Sequence, residues 1–187
     1  TDKLNFRAGV MLMPMGNLNE FHEPPLFYTV ERPYFHQYLL PTTFAQAGFG
    51  VFGQLNGGMN YRGYIVNAVS SLDTEDSRKF DDTKFIRSGR AQMNSLDVAD
   101  WAFTGRLEKK SSGLSYGLSL YTGASTQGRI NQDGNLTIVE ADMKMRRGAL
   151  EFGANVMKGW VSDTQQINEW CSLNGSCAAD VPQEAFG

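Results

Sequence analysis

Residues 47–64 read AGFGVFGQLNGGMNYRGY. Inside this stretch Gly48-Phe49-Gly50-Val51-Phe52-Gly53 is a formal match to G-x-G-x-x-G. That fingerprint works only where its glycines form the tight turn between a strand and a helix, so that the helix N-terminus meets a pyrophosphate. Here the glycines run into Gln54-Leu55-Asn56-Gly57-Gly58. Asn-Gly and Gly-Gly supply the positive φ that tight hairpin turns need. The residues beyond, Met59-Asn60-Tyr61-Arg62-Gly63-Tyr64-Ile65-Val66, are rich in aromatic and β-branched side chains and read as a strand. The stretch therefore reads as strand, tight turn, strand, over about 43–55 and 59–67. Glycines inside such strands relieve crowding where a sheet curves, or leave room for side chains packing over them.

The same period of two recurs on both sides. Leu4, Phe6, Ala8, Val10 and Leu12 alternate with Asn5, Arg7 and Gly9. Trp101, Phe103 and Leu107 oppose Thr104, Arg106 and Glu108. After Ser111-Ser112-Gly113, the residues Leu114, Tyr116, Leu118 and Leu120 alternate with Ser115, Gly117, Ser119 and Tyr121. The sharpest alternation interleaves Val139, Ala141, Met143 and Met145 with Glu140, Asp142, Lys144 and Arg146. Beyond Arg147-Gly148, Leu150, Phe152, Ala154 and Val156 oppose Glu151, Gly153 and Asn155. This predicts about seven strands of roughly 9–12 residues, against about 5–6 in ordinary sheets. A tilted membrane-spanning strand needs about 9–11.

The connections alternate in length. Long ones at about 15–42 and 68–100 and a medium one at about 123–135 are each followed by a tight turn, and a polar tail covers 161–187. Up-and-down outer-membrane barrels have short periplasmic turns and long extracellular loops. Trp101 and Trp160 fall at the outer strand ends and Tyr61 and Tyr116 near the tight turns, all on the apolar parity, as in interfacial aromatic girdles. The expected fold is all-β: an antiparallel up-and-down transmembrane barrel, with residues 1–187 forming part of one barrel domain.

Composition sets outer limits. The 187 residues carry a formal charge of −3, which argues against a uniform nucleic-acid surface. Twenty glycines and 12% aromatics suit a turn-rich β protein. A mean hydropathy of −0.35 is compatible with a soluble protein and equally with a barrel whose strands alternate. Thr1-Asp2-Lys3-Leu4 does not read as a signal peptide. Cys171 and Cys177 flank a small polar loop and are expected to pair in an oxidising compartment.

Several ordered pieces carry a resemblance. They are Phe6 to Gly16, Asn19 to Pro25, Arg32-Pro33, Leu40-Pro41-Thr42-Thr43-Phe44, Gly48 to Gly53, Leu55 to Tyr61, Tyr64 to Asn67, and Ile86-Arg87-Ser88-Gly89-Arg90. Together, over about residues 5–110, they resemble the bacterial phosphate-selective porin O and P family. The resemblance implies a bacterial outer-membrane barrel, usually a homotrimer, surrounded by membrane lipid and lipopolysaccharide, that passes small anions or other polar solutes by diffusion. Members are longer, so this chain is expected to be part of a larger barrel.

If the apolar parity meets lipid, the polar parity lines a wet lumen. Arg7, Arg62, Arg106, Lys144 and Arg146 are then candidates to guide solutes, since selectivity follows the charges lining a pore. Pairing across strands is the competing expectation: Glu140, Asp142, Lys144 and Arg146 read as a self-neutralising ladder. Arg87 and Arg90 lie in the second long loop, a segment that either narrows the channel or has no role. No catalytic constellation, cofactor motif or metal site is expected. His22 and His36 are the only histidines, both in the first loop. Two other readings stay open: a barrel with a structural or adhesive role through its loops, and a secreted β-sandwich that binds a ligand.

Overall fold

The computed structural model describes residues 2–16, 19, 39–40, 43–72, 80, 85–86, 89, 99–174 and 180–186. The alternating segments form strands β1 (Asn5–Leu12), β2 (Ala45–Leu55), β3 (Met59–Asn67), β4 (Trp101–Ser111), β5 (Leu114–Gly123), β6 (Leu136–Arg147) and β7 (Leu150–Val161). A helix α1 (Thr164–Asn174) and a short strand β8 (Glu184–Phe186) follow. All eight strands belong to one antiparallel sheet in the order β1-β2-β3-β4-β5-β6-β7-β8. Each strand pairs with its sequence neighbour, as an up-and-down meander requires. The tight turns fall where Asn56-Gly57-Gly58, Ser112-Gly113 and Gly148-Ala149 stand.

The tail departs from the sequence expectation of an irregular polar segment. Helix α1 buries Ile167 and Cys171, four residues apart and so on one face. The Asn168 amide accepts from the Val181 backbone N–H at 2.7 Å, and the Val161 N–H donates to the Gln183 carbonyl at 2.9 Å. These bonds lay β8 against Lys158–Trp160 of β7. A three-residue strand and a helix with two buried positions are too short for periodicity to reveal. Cys171 is disulfide-bonded; Cys177, the other cysteine, lies outside the described residues.

The two faces of the sheet differ in an unusual way. The apolar parity is bare: Leu118 is 54% exposed, Phe152 52% and Phe103 46%. Phe6, Phe49, Ile65, Leu107 and Met143 extend this surface across the sheet. The polar parity is covered, and Arg106 and Glu140 are buried on it. The covering comes from the connections. Met13, Met15 and Phe44 from the first, Val69, Phe80, Phe85 and Ile86 from the second, and covered-face residues such as Tyr121, Ile138 and Met157 form an apolar core. This core lies toward the strand ends away from the tight turns. Phe44 packs on Tyr121 at 5.4 Å between ring centroids, and the Val69 N–H donates to the Tyr121 hydroxyl at 3.1 Å.

The sheet curls around its covered face. Ser119 shares a register row with Arg106, Arg62, Phe52 and Asn5, so Leu12 is four strands across and seven residues along from it. On a flat sheet that separation is about 30 Å. Yet the Gly16 N–H reaches the Ser119 hydroxyl at 3.1 Å. Four residues of chain reach at most about 14 Å, and the hydrogen-bonded side chain adds only a little. Only curvature closes the gap. The glycines of the opening stretch fit such close packing: a Cβ on Gly50 would lie 2.7 Å from the Tyr64 ring, which is buried on the covered face.

Candidate functional site on the covered face

Two adjacent register rows bring the polar residues together. One runs Arg62, Arg106, Ser119, Glu140, and the other runs Asn60, Glu108, Gly117, Asp142, Asn155. Arg106 is their hub. Its Nη1 donates to Asp142 Oδ2 at 2.6 Å and to Ser119 Oγ at 2.8 Å. The same nitrogen is 3.6 Å from Glu140 Oε2, and Nη2 is 3.8 Å from Glu108 Oε1. Ser119 donates in turn to Glu140 Oε2 at 2.9 Å. Glu108 also receives Arg62 Nη2 at 3.0 Å and Lys110 Nζ at 3.2 Å.

Arg106 and Asp142 sit on strands two apart, about 10 Å between backbones. The arginine must therefore cross β5. Gly117 lets it do so: a Cβ there would lie 2.5 Å from the guanidinium carbon. The residue that joins the site is thus one with no side chain. Gly117 and Ser119 are visible in the sequence only as polar-parity positions, and the signal that marks them is the register.

Cations and carboxylates balance here. Among the described residues, Arg62, Arg106 and Lys110 face Glu108, Glu140 and Asp142, three against three, for a formal sum of zero. Neutralisation runs partly along β4, where Arg106 and Lys110 both face Glu108, and partly across strands, from Arg62 on β3 to Glu108 and from Arg106 over β5 to Glu140 and Asp142 on β6. The partners differ from a ladder confined to β6: Asp142 and Glu140 answer Arg106 on β4, while Lys144 pairs with Glu151 on β7 at 2.7 Å.

The other candidates are scattered. Arg7 lies on the edge strand β1 with its guanidinium 4.7 Å from the centre of the Phe52 ring. Arg146 is exposed beside the turn, where its backbone N–H donates to the Gly113 carbonyl at 2.7 Å. Arg87 and Arg90 lie outside the described residues, as do His22 and His36. Among the described residues no group of three or more His, Cys, Asp or Glu is placed to hold a metal ion. No described helix is long and apolar enough to cross a membrane, which says nothing about crossing by strands.

No family model matches the chain. No solved structure matches it. An uncharacterized protein of Aquifex aeolicus (strain VF5) is 38% identical over 135 residues, which make up 71% of this chain and 28% of that protein. The chain is similar to this relative and spans little more than a quarter of its length.

Proposed function

We propose that the chain is part of an outer-membrane β-barrel porin that conducts small polar solutes passively. One observation carries the reading: one face of the sheet leaves large apolar side chains such as Phe6, Phe103, Leu118 and Phe152 bare, while the other buries Arg106, Glu108, Glu140 and Asp142. Soluble monomers rarely expose contiguous apolar surface beyond a few hundred Å². Hydrocarbon outside and a polar interior account for both faces at once. Strand length agrees. β4 has 11 residues, which at about 3.3 Å per residue and a tilt near 45° spans roughly 26 Å, the height of a membrane barrel's apolar band. The meander order and tight turns agree as well.

The resemblance to the phosphate-selective porin O and P family supports the same reading and adds a homotrimer, a lipid and lipopolysaccharide setting, and anions as candidate solutes. The balanced cluster qualifies the last point. Arg62 and Arg106 are both paired with carboxylates, so they leave little positive field for a passing anion. Small polar solutes of either sign fit this face better than phosphate alone.

Reconstitution of the full-length protein in planar bilayers is the test. Discrete conductance steps and heat-modifiable gel migration are expected. Migration shifts without conductance would favour a barrel that anchors or adheres, and the absence of both would reject the membrane reading.

A further inference from the structure

We propose that Ser119 seats the first connection across the covered face, and that the seated segment Met13–Gly16 is the channel's constriction. The inference rests on the porin reading above. A serine hydroxyl has one proton and two lone pairs. Here all three are engaged: it donates to Glu140 Oε2 at 2.9 Å, and accepts from Arg106 Nη1 at 2.8 Å and from the Gly16 N–H at 3.1 Å. The ion cluster thus fixes the hydroxyl, and the hydroxyl fixes the loop.

The segment is built for this position. Gly16 is buried with φ 65°, a conformation that favours glycine, so the seat selects a residue without a side chain. Met15 is fully buried, with its sulfur 4.0 Å from Thr104 Oγ1 on the same face of β4. The base is clamped by Asn19. Its amide donates to the Met13 carbonyl at 2.7 Å and to the Phe44 carbonyl at 3.0 Å, and accepts from the Phe44 N–H at 3.0 Å. The Met13 N–H donates to the Phe44 carbonyl at 2.8 Å. Chain that is hydrogen-bonded at Met13 and again at Gly16, and lies over the polar side of a curled sheet, occupies the space a solute would cross. Ser119 is therefore a positioning residue for the pore's narrow point.

The experiment uses full-length protein in lipid vesicles and planar bilayers, comparing wild type, Ser119→Ala and Ser119→Thr. In the wild type the Gly16 amide should be protected from hydrogen exchange. In Ser119→Ala it should exchange about tenfold faster, the consequence of losing one buried hydrogen bond. The same variant should conduct more in the open state, or flicker between levels, and Ser119→Thr should restore wild-type behaviour. Unprotected Gly16 in the wild type overturns the seat, even if Ser119→Ala fails to assemble. A conducting wild type with an indifferent Ser119→Ala overturns the constriction alone. A wild type that folds but passes no current overturns the porin reading and the constriction with it.

Discussion

Replacing Leu118 by arginine separates a hydrocarbon-facing sheet from a water-facing one. Leu118 is the fifth residue of the ten in β5 and 54% exposed on the bare face, with Leu107 and Ala141 as register neighbours. It lies about 13 Å along the strand from the tight turn, near mid-height of a tilted strand. In water, an exposed leucine-to-arginine change falls within about ±0.5 kcal/mol. At a bilayer midplane an outward arginine costs about 2–4 kcal/mol, falling to about 0–1 near the interfaces. Met145, 43% exposed and paired with Leu114 at the turn end, supplies the control. Leu118→Arg should weaken the folding equilibrium in vesicles roughly 30- to 700-fold. Met145→Arg should weaken it no more than about fivefold. Urea titration of full-length protein in vesicles, followed by heat-modifiable migration, measures both. Equal and small effects would refute contact between this face and lipid, and the porin proposal would go with it.

Three further outcomes are expected. Arg106→Met leaves Asp142, Glu140 and Glu108 without their shared guanidinium and should cost about 3–5 kcal/mol in the same titration. Adding Asp142→Asn and Glu140→Gln should recover part of that loss, and no recovery would mean that the charges are not the cause. Gly117→Ala puts a methyl group against the Arg106 guanidinium and should destabilise by about 1–3 kcal/mol, with little further effect once Arg106 is already methionine. With every other tryptophan of the full-length protein changed to phenylalanine, Trp160 and Trp170 among them, the fluorescence of Trp101 on the bare face should be quenched by brominated lipids, and an unquenched signal would place that strand end in water.

Much of the fold was legible in the sequence because a strand declares itself locally. Side chains point alternately to two faces, so Leu114, Tyr116, Leu118 and Leu120 against Ser115, Gly117 and Ser119 mark one strand without knowledge of its neighbours. Glycine-bearing turns marked where strands end, and short turns implied pairing of consecutive strands. The opening Gly48–Gly53 run reads as part of a hairpin for the same local reason, and it lies in β2 paired with β3. Alternation says that there are two faces, but not which one is covered. That was decided by the connections folding over the polar side, since Met13, Met15, Phe44 and Phe85 carry no periodic signal. The candidate site was legible only by residue type. Arg62 and Arg106 stand out singly in the sequence, yet their partners depend on register across β3 to β6, and Arg106 reaches Asp142 only because Gly117 is bare between them. Local chain chemistry fixed the strands and their order. Curvature, the burial of the charges and the seating of Gly16 on Ser119 came from contacts between residues far apart in the chain, which a pattern of period two does not encode.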